Sequence, residues 1–380
     1  MVSFLGVMQD YYEQHLPNGK THSVSFQLAF TGTIANVLIN ILGPASQAFI
    51  DYVSPRTALF VSVILTSSGL ILAGFSTQIW HLYLTAGVLY GIGSAIMFYI
   101  VLTAVPQWFS KNRGLALGIV SCGGSLGGLV IPLLMDPINT RLGASWCYRI
   151  LGAICFVTGS FSCLIFKNKP QETKNATSAI SLDFSVVKNW RFLMWCFTDV
   201  LLEGAYMVPA YYLPSYATYC GMTSSQGAVI LAISSAFNSV GRLVAGFLAD
   251  RIGDMNTIVF YSWFAGLSCL LMWMFATSFG FLLGFSAVFG FFGGAFITLV
   301  PTITLNITGP EKLESGLSWF LVFTVFCMFG PNLAGAIEGA LGESAPYRSY
   351  KLFSGICYMT GGLLLLGLKL SINRNPFKKI

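Results

Sequence analysis

Three ionisable side chains stand inside stretches otherwise too apolar to carry charge: Asp199, Glu203 and Arg242. Holding a charge at that depth costs at least about 2.5–3.5 kcal/mol, so each of them demands a partner, a cavity or a proton. Arg242 lies about six residues inside the end of its apolar run, ~9 Å at ~1.5 Å per residue. Its guanidinium presents a planar fork of donors that can take a carboxylate bidentately. The alternative is a structural arginine whose aliphatic stem carries the charge back to the interface. Asn238 precedes it by one turn on the same face, and an amide cannot ionise. Asp199 and Glu203 are likewise one turn apart, near the middle of their run, where burial favours a neutral carboxyl. Asp199 matches Arg242 in depth and is the expected ionisable partner of the arginine. A purely structural role for the two acids stays equally open.

The elements that position these groups follow from composition. Apolar residues make up 55% of the 380, charged residues only 9%, and mean hydropathy is +0.73. A hydrated globular surface cannot be built from that mixture, so the chain is an integral membrane protein. Apolar runs of about 20 residues, each long enough to cross the bilayer as a helix, recur between short polar loops. They lack the two-residue alternation of a membrane barrel. Five complete spans are expected before the middle of the chain: 23–49, 57–76, 80–105, 114–135 and 146–166. A polar linker, 167–189, follows, and then six spans: 191–213, 226–248, 257–277, 280–302, 315–337 and 350–370. Residues 1–16 read as a stub too short to span.

Basic residues concentrate on one side of these spans, at Arg56, Lys111, Arg113, the linker, Arg251 and the tail. By the positive-inside rule that side is cytoplasmic, and the net charge of +6 reflects this bias, not nucleic-acid binding. Most of the nine cysteines fall inside apolar runs; only Cys147 and Cys220 lie near enough to an outer loop to make a disulfide conceivable. His15, His22 and His81 are isolated, which gives no support to a metal site. No nucleotide loop or Ser/His/Asp set suggests an enzyme, and no cofactor is expected.

The two halves repeat. Asp51 and Asp250 stand 199 residues apart at the ends of corresponding spans, Pro106 and Pro301 stand 195 apart, and Gly114 and Gly316 stand 202 apart. The fuller copy reads Gly246-x-x-x-Asp250-Arg251-x-Gly253, a tight turn in which glycine permits close helix approach and the aspartate can accept from a helix N-terminus. In the first copy Gln47 stands for the glycine and Tyr52 for the first basic residue, with Arg56 beyond. Glycines at 114, 118, 123, 124, 127 and 128 suggest a helix-packing face. Asn36, Asn40, Tyr90, Phe98, Tyr99 and Tyr206 are polar or aromatic residues on spans, suited to lining a central cavity.

The signature turn resembles that of the major facilitator superfamily. Tyr83–Ser94, Gln107–Gly118, Pro209–Ala217 and Gly330–Ile337, together with Gly6–Tyr12, are similar in order to segments of its monocarboxylate transporter family, particularly the fungal branch. The resemblance implies an all-α membrane fold of two pseudo-symmetric six-helix bundles. It implies an amino-terminal bundle over 1–166 with its first helix largely missing, a cytoplasmic linker over 167–189, and a carboxyl-terminal bundle with a cytoplasmic tail over 190–380. In that family an arginine at the place of Arg242 works with an aspartate one turn earlier to bind an anion and couple a proton; Asn238 occupies the aspartate's place here, so the coupling does not carry over. The expected activity is secondary active or facilitative transport of small monocarboxylate-like anions by alternating access, with proton coupling left open. Export of a vitamin or secondary metabolite is the alternative, as is a truncated non-transporting remnant or a membrane sensor. The residues expected to bind substrate are Arg242, Asn238, Asp199, Glu203, Asn36, Tyr90, Phe98 and Tyr206; those expected to gate are Asp51, Arg56, Arg113, Gly246, Asp250 and Arg251. The expected partners are a small organic anion, H+ as an optional coupling ion and the lipid bilayer, with a single-span accessory protein left open. The expected setting is the plasma or vacuolar membrane.

Overall fold

A chain immersed in hydrocarbon must satisfy its own backbone, so apolar runs become helices that end where polar residues, glycine or proline permit. The computed structural model describes residues 22–109, 111–167, 183–341 and 346–373, and every regular element among them is helical. In the first half these are α1 (His22–Ile41), α2 (Gly43–Val53), α3 (Pro55–Ala73), α4 (Ile79–Leu82) continuing through a π turn into α5 (Tyr90–Trp108), α6 (Arg113–Leu142) and α7 (Ala144–Ile165). In the second half they are α8 (Trp190–Tyr219), α9 (Ser224–Ile252), α10 (Asp254–Leu267), α11 (Phe279–Gly293), α12 (Ala295–Thr308), α13 (Leu313–Thr324), a 3-10 segment (Val325–Phe329), α14 (Gly330–Leu341) and α15 (Arg348–Ile372).

Ten of the resulting helical stretches are long and apolar enough to cross a membrane, and α1 with α2 makes an eleventh if taken as one span. Their ends move by about a turn or less in most cases from those expected. The clearest difference is the first: a single span over 23–49 is replaced by two helices bent by 58°. Pro44, in the first turn of α2, has no N–H to continue the α1 ladder, so the chain starts a new helix there. The expected stub, most of the linker and the tail beyond Asn373 lie outside the described residues.

The helices gather into two compact units, each containing one segment from the other half of the sequence. One comprises residues up to Ala104, Gly127–Asp183 and Leu317–Val322; the other comprises Val105–Leu126, Phe184–Gly316 and Phe323 onward. In the first unit α3 packs along α7, where Gly152 meets Ile71 and Gly159 meets Val63. Apolar clusters around Leu70, Tyr148 and Leu151, and around Leu59, Val63 and Ile100, complete its interior. In the second unit glycine again sets the spacing: a Cβ on Gly241 would strike the Phe291 carbonyl, and one on Gly290 the Ser234 carbonyl, so α9 and α11 touch backbone to backbone.

The internal repeat survives at the level of backbone torsions. Gly253 joins α9 to α10 at φ 99°, and Ser54, 199 residues earlier, joins α2 to α3 at φ 126°. Serine tolerates that left-handed torsion poorly. Its hydroxyl offsets part of the strain by accepting from the Thr57 amide at 3.3 Å, capping α3. Cys147 and Cys220 are both free thiols, so the conceivable disulfide is not formed.

Candidate functional site

Asn238, Arg242, Gly246 and Asp250 are spaced by four and form one ridge along α9, the geometry by which helices interdigitate. Opposite lies the first half of α6, running antiparallel, so the pairing descends in order. The Ser125 hydroxyl donates to the Asn238 side-chain oxygen at 2.7 Å. Arg242 Nη1 donates to the Ser121 carbonyl at 2.9 Å. A Cβ on Gly118 would lie 2.8 Å from the Arg242 carbonyl, and Gly246 meets the Gly114 carbonyl so closely that neither glycine could bear a side chain without displacing the helices. At the end of the ridge the Asp250 carboxylate accepts from the Gly114 and Leu115 amides at 2.9 and 2.8 Å, capping the N-terminus of α6. The signature turn is therefore a helix clamp inside the carboxyl-terminal unit.

Arg242 is only 8% exposed and does not return to the interface. One nitrogen is spent on Ser121, while Nε is buried with no partner among the described residues. Beside it the glycine face of α6 splits in two. Gly114 and Gly118 pack closely, whereas a Cβ on Gly123 would meet nothing within 4 Å and one on Gly124 would lie 3.8 Å from Arg242 Nη1. A side-chain-free space thus adjoins the arginine.

Asp199 is not the partner of Arg242. No ion pair joins them; both Asp199 oxygens are buried without a hydrogen-bond partner among the described residues, and the acid on which the arginine's charge acts is Glu203. Matching depth from Cα positions ignored side-chain direction. Helical side chains lean toward the N-terminus of their own helix. α9 ends where α8 begins, so Arg242 reaches deeper and Glu203 leans back toward it, which makes the residue one turn beyond Asp199 the nearer acid. The Cys327 thiol also lies beside Glu203.

Asn238 is engaged at both ends: its NH2 donates to the Gly290 carbonyl at 3.0 Å while Ser125 holds its oxygen. Tyr206 is half-buried among Phe289 and Phe296, with ring centroids at 6.1 and 5.8 Å. Asn36, Tyr90 and Phe98 belong to the amino-terminal unit and are each half-buried there. Asp51 and Arg56 are exposed at the α2–α3 turn, Arg113 donates to the Phe109 carbonyl, and Arg251 lies over the Phe247 ring. The degenerate first copy of the signature is repaired by its own substitution: the Ser318 hydroxyl donates to the Gln47 side-chain oxygen at 2.6 Å, and the Tyr99 hydroxyl is 3.2 Å from it. Sequence reasoning missed Ser121, Ser125 and Cys327. The two serines share the four-residue spacing of the glycine face and were findable; Cys327, one of nine apolar-run cysteines, carried no signal.

The chain is similar along nearly its whole length to fungal transporters. It is 29% identical to "MFS transporter asaE" of Aspergillus flavus, covering 98% of this chain and 85% of that protein. It is 28% identical to the "Fujikurins efflux protein" of Gibberella fujikuroi, over 97% and 78%. It is 26% identical to the "Aspyridones efflux protein apdF" of Emericella nidulans, over 97% and 74%. Among solved structures, the fucose:proton symporter FucP of E. coli superposes with a TM-score of 0.75 at 16% identity, over 97% of this chain and 96% of that one, a likeness of fold. Residues 16–262 match the family model described as Major Facilitator Superfamily, and with well over half its length so matched the chain belongs to that superfamily of membrane transporters.

Proposed function

We propose that this transporter exports a small organic anion, an acidic secondary metabolite with a carboxylate or similar planar anionic group, by alternating access. The observation that carries the reading is Arg242: a buried guanidinium with one nitrogen spent on a backbone carbonyl, another unpartnered among the described residues, and the side-chain-free space at Gly123 and Gly124 beside it. Glu203 balances its charge in the unloaded state without pairing with it directly, and an incoming carboxylate takes the unoccupied donors of the fork. Likeness to proteins named for the efflux of fujikurins and of aspyridones supports export over uptake. The monocarboxylate-transporter resemblance supports the anionic class. Tyr206 in its own unit, and Asn36, Tyr90 and Phe98 in theirs, serve as further substrate contacts, and Asn238 holds α9 to α11 one turn from Arg242. Alternating access requires the clamp of Asp250 on α6 to form and release, with Asp51 and Arg56 acting at the equivalent turn of the other half. The cytoplasmic side is that of Asp250, and the membrane is the plasma or vacuolar one.

The test is transport by the purified full chain in liposomes, screened over short monocarboxylates and larger acidic metabolites, for wild type, Arg242→Lys and Arg242→Ala. Lysine keeps the charge and loses the fork. Losing one charge-assisted hydrogen bond is worth about 1.5–3 kcal/mol, so Arg242→Lys weakens apparent affinity by roughly 10- to 100-fold. Wild-type transport by an Arg242→Ala protein that inserts in normal amounts refutes the assignment.

A further inference from the structure

Asp199 is 1% exposed, and neither of its carboxyl oxygens has a hydrogen-bond partner among the described residues. Two neighbouring hydroxyls are already spent: Thr198 donates to the Met194 carbonyl at 2.7 Å, and Tyr358 to the Gly293 carbonyl at 2.8 Å. Glu203 stands one turn along the same face of α8. A carboxylate buried without a donor gives up its hydration and receives nothing in exchange, whereas a carboxylic acid carries no charge to solvate. A second acid one turn away penalises the doubly ionised pair further. Among the described residues only Glu203 has a cation acting on it: Arg242, whose Nε is itself buried and without a partner among them.

We propose that Asp199 and Glu203 form a proton-binding site of the transporter, with the proton on Asp199 and the negative charge on Glu203 facing Arg242 in the conformation described. The groups around the pair leave this division of labour as the consistent one. Cys196 faces it from α8, Arg242 from α9, Cys327 from the 3-10 segment and Tyr358 from α15, with Tyr206 beside Tyr358. α11 and α12 carry no titratable side chain, and Glu338 of α14 is committed to the Tyr347 and Ser349 amides. Arg242 is thus the one cation within this set, and it compensates the acid nearer to it.

The same packing says how the proton leaves. On one side the pair is covered by the 3-10 segment, whose Cys327 lies beside Glu203, and by the start of α14, where Gly330 lies directly on Gly204. That five-residue segment interrupts an otherwise α-helical span, and 3-10 hydrogen bonds are the weaker kind. Glu203 is half-buried and Asp199 is 1% exposed, so movement there opens Asp199 through Glu203, and the proton passes from the Asp199 carboxyl to water by way of the Glu203 carboxylate. Proton exchange and the position of α14 are therefore linked.

This inference rests on the transporter reading but not on Arg242 binding the substrate, and it can be tested with no substrate present. The full chain is placed in lipid nanodiscs and its infrared carboxyl bands are recorded around neutral pH. Wild type is expected to show the C=O stretch of one neutral buried carboxyl. That band is lost in Asp199→Asn and kept in Glu203→Gln. In Arg242→Ala a second neutral carboxyl appears, and it is absent from the double variant Arg242→Ala, Glu203→Gln. Uniform 13C-aspartate labelling of the wild type shifts the first band, which tests the assignment even where Asp199→Asn fails to fold. Equal neutral-carboxyl intensity in wild type and Asp199→Asn, or a band insensitive to labelled aspartate, overturns the proposal. The two readings fail separately: a protein with the band but without transport in liposomes loses its transport assignment and keeps the site, and one that transports without the band does the reverse.

Discussion

Replacing Asp250 by alanine removes both acceptors that hold the first turn of α6. The Gly114 and Leu115 amides donate to its two oxygens at 2.9 and 2.8 Å, and both amides belong to the opening turn of a helix, where no intrahelical acceptor exists for them. Hydrogen bonds to a charged acceptor contribute about 1.5–3 kcal/mol each. Asp250 is only half-buried, so the lower end applies and the pair amounts to ~3 kcal/mol, with the helix dipole adding a fraction of that. Loss of ~3 kcal/mol raises the population in which these amides are open by roughly a hundredfold, at about 1.4 kcal/mol per tenfold. Asp250→Asn keeps one acceptor oxygen and gives an intermediate effect, roughly tenfold. Hydrogen exchange on the purified protein, followed by mass spectrometry of peptides covering residues 111–118, reads this directly. Peptides from α3 and α7, which belong to the other unit, serve as internal controls. If exchange at Gly114 and Leu115 in Asp250→Ala stays within about twofold of wild type, then water replaces the carboxylate without cost and the clamp assigned to the signature turn does not hold the helix.

Two further outcomes follow from the same geometry. Asn238→Asp is expected to destabilise the protein by about 1–3 kcal/mol, because the Gly290 carbonyl loses its donor and an acid faces it instead; a melting temperature equal to or above wild type would show that the amide is not the α9–α11 clasp. Gly290→Ala drives a methyl group into the Ser234 carbonyl and is expected to cost at least about 1–3 kcal/mol, seen as loss of monodisperse protein on size exclusion, while Gly280→Ala, where nothing lies within 4 Å, behaves as wild type.

The membrane class, the span positions and the twofold repeat were legible in the residues because each rests on local physics. A bilayer of fixed thickness imposes one length and one polarity on every crossing segment, and charge bias in the loops is readable one loop at a time. Even the clamp could be anticipated as an aspartate near a helix N-terminus, since glycine, acid and base at fixed spacing carry their own geometry. What the residues could not decide was which helix Asp250 would cap, or that Ser318 would meet Gln47 across 271 positions of sequence. Those partners are chosen by packing over the whole chain. The same limit explains the misassigned pair: depth along the bilayer follows from counting residues, but azimuth and side-chain lean appear only once α8 and α9 are set side by side. That placement brings Glu203, not Asp199, into the field of Arg242, and leaves Asp199 buried with no donor among the described residues, a circumstance that no spacing in the sequence could reveal.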